Sequence, residues 1–324
     1  MKKLISLVLA AVMALSLVAC GSGSKDKDTD TGDKTYKVGV VQLVQHEALD
    51  AATKGFTDAL KEALGDKVEV VEKNASGDPN NCGTIVNGFI SDKVDLIMAN
   101  ATPALQAAAS ATSTIPILGT SVTDYATALE IADWTGTVGG NISGTSDLAP
   151  LDKQAAMLQE LFPNAKKVGM LFCSSEPNSK YQVDEVTKLL SAAGITCTEY
   201  TFTDSNDVSS VTQKACDDSD VLYIPTDNTA ASNTEAIANV LIPAGVPAIC
   251  GEEGICRGCG VATLSISYYD LGVTTGKMAA KILKGEADIS TMPVEYTDAT
   301  PKYNASVCEQ LGITPLDGYE AIDG

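Results

Sequence analysis

The chain has 324 residues, with 22 basic and 42 acidic side chains, and its formal net charge is −20. An acidic surface of this kind repels nucleic acid and anionic lipid, so we exclude nucleic-acid binding. The length that remains after an N-terminal leader fits two lobes of ordinary size rather than one domain.

The N-terminus has the pattern of a lipoprotein signal peptide. Two lysines precede a mostly apolar stretch, residues 4–18, which is shorter than the ~20 residues that a membrane span needs. The following Leu-Val-Ala-Cys ends at Cys20 and resembles a bacterial lipobox, in which the cysteine is lipidated after cleavage; a plain signal peptide with a chance cysteine is the alternative. We expect residues 1–19 to be the signal peptide and residues 20–35 a flexible lipidated tether. The mature chain, with a net charge of −22, would be held by Cys20 at the outer face of the plasma membrane.

From residue 37 onward, short apolar runs alternate with segments whose apolar residues recur every three or four positions. This alternation is typical of parallel sheets that carry helices on both faces. It occurs in two series, which predicts an α/β protein with two doubly wound parallel-sheet lobes. We expect strands at residues 37–44, 68–71, 96–99, 115–118, 168–172, 195–202, 221–224, 248–250 and 262–266. We expect helices near residues 47–63, from 78, and at 103–111, 181–193, 208–216, 230–240 and 271–283.

Polar residues are concentrated in the loops that follow the predicted strands, where open parallel sheets bind ligands. Many of these residue types are also ordinary helix caps, although the acidic residues exceed what capping requires. The candidate ligand-binding residues are Gln42, Gln45, His46, Thr102, Thr120, Ser121, Asn141, Ser174, Ser175, Glu176, Asn178, Asp227, Asn228, Glu253 and Tyr269.

The chemistry of these residues fits an amino acid. Hydroxyls and free backbone amides at helix starts, as at Thr102 and Ser121, suit a carboxylate. Acidic groups of the other lobe, Asp227 and Glu253, suit an ammonium group. The ligand side chain is left to a mixed wall of Leu43, His46 and Tyr269. His46 is the only histidine, and at the end of the first strand it is expected to face the cleft, where it could make binding depend on pH.

Enzyme signatures are missing from the sequence. No nucleophile elbow, phosphate-binding loop or dinucleotide fingerprint follows a predicted strand, so we expect no catalysis and no cofactor. A two-carboxylate hydrolase that uses Asp227 and Glu253 stays an open alternative. Cys256-Arg-Gly-Cys259 has no second cysteine pair and no nearby histidine, so no metal site is expected. We favour a local disulfide or two buried thiols there.

Seven stretches, in this order, resemble the substrate-binding lipoproteins of ABC importers, in particular the family typified by tryptophan- and tyrosine-type uptake operons. They are residues 41–50, 101–103, 139–147, 174–179, 224–228, 251–254 and 264–272. The resemblance implies a type I periplasmic-binding fold, in which two lobes joined by a three-segment hinge close on a ligand. It also implies an aromatic amino acid (Trp, Phe or Tyr) as the ligand and an ABC permease with its ATPase as the partner, and we expect a monomer.

The crossovers are expected near residues 138–143 and 265–269. We therefore assign residues 36–142 plus 268–290 to the first lobe and residues 143–267 plus 291–324 to the second. A departure from the family pattern at Ile255-Cys-Arg-Gly-Cys259 makes ligand contacts from this loop less certain.

Other ligands and other functions stay open. A nucleoside, a sugar or a branched-chain amino acid is the alternative within the same class of protein. Sugar binding is disfavoured because Arg257 is the only arginine in the candidate loops. An adhesive or sensory lipoprotein is the alternative from a different class. Few aromatic residues are available for stacking, with one Trp, five Phe and ten Tyr in the chain.

Overall fold

The computed structural model describes residues 34–322. The predicted signal peptide, Cys20 and the tether up to residue 33 therefore lie outside the described residues. Within residues 34–322 no helix is both long and apolar enough to cross a membrane. The two lobes lie in one compact unit that begins at Thr35.

The first sheet has six parallel strands. They are β1 (Tyr36–Gln42), β2 (Val68–Asn74), β3 (Leu96–Asn100), β4 (Ile117–Val122), β5 (Ile142–Ser146) and β11 (Glu295–Tyr296). Their order across the sheet is β2-β1-β3-β4-β5-β11. β3 and β4 are buried along their whole length. In β3 this explains the continuous apolar run from Leu96 to Ala99, whereas β4 also buries Gly119, Thr120 and Ser121.

The helices of the first lobe cover both faces of this sheet. They are α1 (Glu47–Leu64), α2 (Pro79–Ser91), α3 (Thr102–Ala111), α4 (Tyr125–Ala128) and α11 (Tyr268–Leu283). Successive residues of β3 pack into two different cores: Leu96 and Met98 lie in one with residues of α1 and α11, and Ile97 lies in the other with residues of α2 and α3. The sheet is therefore doubly wound, as predicted.

The second sheet has seven strands in the order β7-β6-β8-β9-β10-β12-β13. They are β6 (Lys167–Cys173), β7 (Thr196–Phe202), β8 (Val221–Ile224), β9 (Ala248–Cys250), β10 (Ala262–Ser265), β12 (Thr300–Tyr303) and β13 (Glu320–Ala321). β12 runs antiparallel to β10, while all other neighbours are parallel. The helices are α5 (Leu151–Leu161), α6 (Pro177–Ala192), α7 (Val208–Asp218), α8 (Asn228–Ala231), α9 (Thr234–Ala244), α10 (Glu253–Cys259) and α12 (Ala305–Leu311). The predicted α/β architecture of two parallel-sheet lobes is confirmed.

The chain passes between the sheets three times, after β5, after β10 and after β11. The predicted boundary between residues 142 and 143 falls inside β5, whose pairing with β4 continues to Ser146. The glycines taken for a crossover, Gly139 and Gly140, instead form a turn before β5, where both have positive φ. Residues 291–324 are predicted to belong to the second lobe. However, β11 lies within this range and pairs with β5, so it belongs to the first sheet.

All eight cysteines of the described residues are free thiols, and seven of them are buried. Cys256 and Cys259 are both fully buried in the second lobe. Of the two alternatives for the Cys-Arg-Gly-Cys stretch, the structure has the buried thiols. Buried thiols in apolar surroundings act as small hydrophobic side chains.

Candidate ligand site between the lobes

A narrow cavity lies between the lobes, where the carboxyl ends of strands from both sheets face each other. Its walls are formed by His46, Leu49, Ser121, Thr123, Asp147, Asn178, Thr226, Asp227, Asn228, Ala231, Glu252 and Tyr268. Only about 10 Å³ of the cavity is open to water, which is room for about one water molecule, so the two lobes are nearly closed on each other here.

Three buried atoms in the walls of this cavity have no hydrogen-bond partner among the described residues. They are Oγ of Ser121, Oδ1 of Asp147 and Oδ1 of Asn178. Buried polar groups are almost always paired, and leaving one unpaired costs about 1–3 kcal/mol. Three such atoms around one cavity are therefore candidates for ligand contacts.

Asp147 lies on the first connection between the lobes, directly after β5, and only 4% of its surface is exposed. Its Oδ2 accepts a hydrogen bond of 2.9 Å from the hydroxyl of Tyr268, the first residue of α11. Burial raises the pKa of Asp147 to about 6, although hydrogen bonds from Tyr268 and Thr123 favour the carboxylate. Asp147 and Tyr268 thus lie on two of the three chain connections, and Oδ1 of Asp147 is left to accept a hydrogen bond from a ligand.

Asn178 lies near the start of α6 in the second lobe and is also buried. Its Nδ2 donates to the carbonyl oxygen of Thr226 at 3.0 Å. Because a carbonyl accepts but cannot donate, this bond fixes the orientation of the amide. The unpaired Oδ1 is consequently an acceptor in the cavity wall.

Asp227 is a buried acid whose oxygens already accept three hydrogen bonds. Oδ2 accepts from the backbone N–H of Cys173 and the hydroxyl of Ser179, both at 2.7 Å, and Oδ1 accepts from the N–H of Ala230 at 2.7 Å. Burial and the nearby Glu176 raise the pKa of Asp227 to about 8, against these donors. Asp227 lines the cavity, but it mainly caps α8 and ties that helix to β6.

Glu252 is the third acid in the cavity wall, and it caps α10 by accepting from the N–H groups of Gly254 and Ile255. Burial raises its pKa to about 7. No lysine or arginine is among the residues that form the cavity walls. The walls therefore have an excess of acceptors and acids, which favours a ligand with a positively charged donor group.

His46 connects the lobes across the cavity. It is half-buried at the start of α1, and its Nε2 lies 3.3 Å from Oδ1 of Asn228 in the second lobe. Nδ2 of Asn228 donates to Glu176 at 2.6 Å, so Oδ1 is the acceptor and His46 the donor. Burial lowers the pKa of His46, and the bond to Asn228 and the charges of Glu176 and Asp50 only partly oppose this.

We expect His46→Gln to remove one source of acid sensitivity. The pKa of His46 in the folded protein is below its ordinary value of 6.5, so the unfolded chain takes up the proton more readily. The wild type should therefore lose stability as the pH falls below 6.5, relative to the variant. Urea unfolding of both proteins between pH 5 and 8 measures the difference in their free energies of unfolding. A difference that does not change with pH would show that His46 is not a source of acid sensitivity.

Two predicted residues of the first lobe lie outside the cavity. The side chain of Gln42 is engaged within its own lobe, donating to Asp50 at 2.7 Å and accepting from Thr53 at 2.6 Å. Gln45 is exposed and lines a surface groove of the same lobe with Gln42. Gln45 follows β1 as predicted, whereas Gln42 is the last residue of the strand itself, and neither residue forms the cavity wall.

Three further predicted residues of the first lobe also lie elsewhere. Thr120 is fully buried and its hydroxyl is 3.1 Å from that of Thr145 on the neighbouring strand. Asn141 precedes β5 and donates to the carbonyls of Thr112 and Ile115, which are at the opposite end of the sheet from the cavity. Thr102 is the first residue of α3. Its hydroxyl is buried and has no partner among the described residues, but Thr102 is not one of the residues that form the cavity walls.

In the second lobe, Ser174 and Ser175 are exposed outside the cavity. Glu176 is buried but serves as a structural acceptor. Its oxygens accept from the N–H groups of Asn228 and Thr229 at 2.9 and 2.8 Å and from both of their side chains. The carboxylate thus holds the start of α8 in place.

Glu253 does not line the cavity, whereas its neighbour Glu252 does. The carboxylate of Glu253 pairs with Lys302 at 2.8 Å and with Arg257 at 2.6 Å. Arg257 also pairs with Glu47 of the first lobe. Asp227 and Glu253, the two acids predicted to bind an ammonium group, are therefore not brought together at one cavity. The same two acids were the carboxylates of the alternative hydrolase, and they do not form that pair either.

Tyr269 is also displaced by one residue from the cavity. It is 39% exposed, and its hydroxyl donates to Asp58 at 3.0 Å on the outer surface of the first lobe. Neighbouring residues of a helix point about 100° apart, so the preceding Tyr268 faces the cavity instead.

The sequence reasoning missed five polar wall residues: Thr123, Asp147, Thr226, Glu252 and Tyr268. A signal was present for most of them, since Asp147 ends one of the stretches that carry the family resemblance, and Glu252 and Tyr268 are next to residues that were chosen. Within residues 34–322 no group of histidine, cysteine and acidic side chains is arranged to hold a metal ion.

The chain is similar to known proteins along most of its length. The sequence profile of a family described as ABC transporter substrate binding protein matches residues 37–318. A tyrosine-binding protein of Clostridioides difficile is 36% identical over 308 residues, which cover 92% of this chain and 89% of that protein.

Two solved structures differ in how well their lobes superpose on this chain. A domain from Streptococcus pneumoniae in complex with L-Trp is 32% identical, has a TM-score of 0.84, and the match covers 89% of this chain and 100% of that one. The ligand-free, open structure of a substrate-binding protein with adhesive properties from Clostridium difficile is 36% identical, with a TM-score of 0.67 and coverage of 89% and 99%. The lobe arrangement described here therefore agrees better with the ligand complex than with the open form.

Proposed function

The chain belongs to the family of ABC transporter substrate-binding proteins, and we propose that it captures an aromatic amino acid and delivers it to the permease of an ABC importer. The observation that carries the ligand class is the pair of unpaired buried acceptors, Asp147 Oδ1 and Asn178 Oδ1, in one cavity between the lobes. The tyrosine and L-Trp named for two relatives support the choice of an aromatic amino acid.

The ammonium group of the ligand binds Asp147. A charged donor and a buried carboxylate make a hydrogen bond roughly twice as strong as one between neutral groups. Asp147 is better suited than Asp227, because all the hydrogen bonds of Asp227 serve the protein itself. An ammonium ligand would also lower the pKa of Asp147 from about 6, which couples binding to ionisation of this acid.

The carboxylate of the ligand binds Ser121 of β4, which forms part of the cavity wall. Oγ of Ser121 and Oγ1 of Thr102 are both buried without a partner among the described residues. Thr102 is the first residue of the ten-residue α3, whose N-terminus favours an anion. Ala101 and Ser121 have positive φ, a strained conformation that turns the backbone at both strand ends. The ligand side chain contacts Leu49, His46 and Tyr268.

The proposed cellular setting follows the sequence prediction. The mature protein is an extracytoplasmic monomer anchored through Cys20, and the permease with its ATPase is its partner. The acidic net charge of the chain, −20, is compatible with this setting because it disfavours adsorption to the anionic membrane surface.

A thermal-shift screen of the mature protein against the twenty amino acids, nucleosides and sugars tests this proposal. A ligand at 100 times its Kd stabilises the folded state by about 2.7 kcal/mol, which is easily detected. We expect Trp, Phe or Tyr to give the largest shift. A shift with a nucleoside or sugar and none with these three would replace the proposed ligand.

A further inference from the structure

We propose that Cys250 and Cys256 of the second lobe form a disulfide when the chain folds in oxidising surroundings, and that this bond fixes the loop that brings Glu252 to the cavity wall. The inference goes beyond the proposed function, because it concerns a modification site and does not depend on which ligand binds. Only the oxidising surroundings are taken from the proposed location outside the cytoplasm.

Three thiols of the second lobe lie together where the end of β9 meets α10. Cys250, Cys256 and Cys259 are fully buried and belong to one apolar core. A Cβ placed on Gly260 would lie 2.2 Å from Sγ of Cys250 and 3.1 Å from Cα of Cys256, so both cysteines adjoin the same point. Burial and the neighbouring thiols of Cys256 and Cys259 raise the pKa of Cys250 well above its ordinary value. The structure therefore has the reduced form of a cluster of neighbouring thiols.

Cys256 is the partner that suits Cys250. Cys256 and Cys259 are three residues apart on α10, where Cβ atoms are about 5–6 Å apart, whereas a disulfide needs about 3.5–4.5 Å. These two cysteines consequently cannot bond to each other without breaking the helix. The thiol of Cys259 also donates to the carbonyl oxygen of Ile255 at 3.3 Å. A Cys250–Cys256 bond leaves that hydrogen bond intact, and a Cys250–Cys259 bond would remove it.

The disulfide forms by exchange with an external disulfide such as oxidised glutathione. The thiolate of one cysteine attacks the external disulfide, which releases one external thiol and leaves a mixed disulfide. The thiolate of the other cysteine then displaces the second external thiol and closes the bond between Cys250 and Cys256. The pair loses two protons and two electrons, and the external disulfide is reduced to two thiols. Because buried thiols with a raised pKa react slowly, the exchange precedes burial of the cluster during folding.

The bond would tie both ends of a five-residue loop, residues 251–255. This loop contains Glu252, which forms part of the cavity wall and caps α10 by accepting from the N–H groups of Gly254 and Ile255. A cross-link reduces the conformations of the unfolded chain and opposes local opening of the loop. The oxidised protein should therefore be more stable than the reduced protein and should hold Glu252 more rigidly.

Peptide mapping of the full-length wild-type chain, exported by an aerobically grown bacterial host and alkylated without reduction, tests the pairing. Trypsin and Glu-C together separate the three cysteines: Cys250 is on the peptide that begins at residue 236, Cys256 on the peptide that ends at residue 257, and Cys259 on the peptide that begins at residue 258. We expect mass spectrometry to find the first two peptides linked before reduction and separate after it. Any other link of these cysteines, or three alkylated thiols, would overturn the inference.

Thermal unfolding of protein refolded with oxidised glutathione or with a reductant tests the effect on stability. We expect the oxidised wild type to melt about 5 °C above the reduced protein. Cys256→Ala should have no such difference. Cys259→Ala is the control, because it removes an equally buried thiol of the same helix and should keep the difference. Each variant is compared with itself, so the cost of removing a buried sulfur cancels. A difference that persists in Cys256→Ala or vanishes in Cys259→Ala would contradict the assigned pair.

Hydrogen exchange of the ligand-free wild type tests whether the bond fixes the loop. The N–H groups of Gly254 and Ile255 donate to Glu252, so their exchange measures how often this contact opens. We expect exchange at least tenfold slower in the oxidised than in the reduced protein, and equal rates would overturn the effect on Glu252. None of these measurements uses a ligand, so their failure leaves the proposed function standing, and a failed search for a ligand leaves this inference standing.

Discussion

Asp147→Asn should abolish most amino-acid binding while leaving the empty protein folded. The substitution keeps the size of the side chain and an oxygen for Tyr268, but it removes the charge that faces the ligand ammonium. Removing one partner of a buried charge pair costs about 2–5 kcal/mol, which is roughly 30-fold to several thousand-fold in Kd. Calorimetric titration with L-tyrosine and L-tryptophan measures the loss.

The stability of the empty Asp147→Asn protein provides an internal control. Burial raises the pKa of Asp147 to about 6, so its folded carboxyl holds a proton more firmly than the unfolded one, and its ionisation above that pH opposes folding. The variant should consequently be no less stable than the wild type at pH 8, and its relative advantage should shrink as the pH falls from 6 towards 4. Wild-type affinity in the variant would assign the ammonium group to another residue.

Asp227→Asn is the matched comparison because the two acids differ in how their oxygens are used. Asp227 accepts hydrogen bonds from Cys173, Ser179 and Ala230, and an amide can replace only one of its oxygens as an acceptor. We expect this variant to be less stable than the wild type at neutral pH and to keep its preference for aromatic amino acids. The pair of variants thus separates an acid that serves the ligand from one that serves the fold.

Much of the fold could be predicted because local sequence and tertiary packing agree in the central elements. The buried strand β3 has an uninterrupted apolar run from Leu96 to Ala99. Helix α2 begins at Pro79 as expected, and the side chain of its N-cap, Asp78, accepts from the N–H of Asn80. The two-residue strands β11 and β13 could not be predicted, since a pair of residues has no periodicity and only the neighbouring strand makes it a strand.

The candidate site was predicted at the level of loops but not of side chains. The loops after β1, β4, β6, β8 and β9 do meet at the cavity, because the ends of parallel strands lie together. Within those loops, Glu253 and Tyr269 were chosen over Glu252 and Tyr268, which are one residue away. Which residue at the start of a helix faces the cleft depends on how the helix packs in the folded lobes. The spacing of residues in the sequence does not determine that rotation.

Gly272→Ala should cause a large loss of stability in the first lobe. Helices α1 and α11 are in such close contact that a Cβ on Gly272 would lie 2.0 Å from the carbonyl oxygen of Ala52, and one on Gly55 would lie 2.1 Å from that of Tyr269. Because the opposing atoms belong to helix backbones, the helices themselves must move apart. We expect a loss of about 3 kcal/mol, at the upper end of overpacking effects, measured by urea unfolding.

The same substitution should also weaken ligand binding, although Gly272 does not touch the cavity. Tyr268 lies one turn before Gly272 on α11 and donates to Asp147 across the hinge, so a displaced helix moves the donor away from the acid. Gly88→Ala in α2 is the control: its new Cβ has no atom within 4 Å, and alanine is favoured over glycine in a helix by roughly 0.5–1 kcal/mol. Gly88→Ala should therefore be slightly more stable than the wild type with unchanged affinity. If Gly272→Ala behaved in the same way, close packing of α1 and α11 would not be what positions Tyr268 at the cavity.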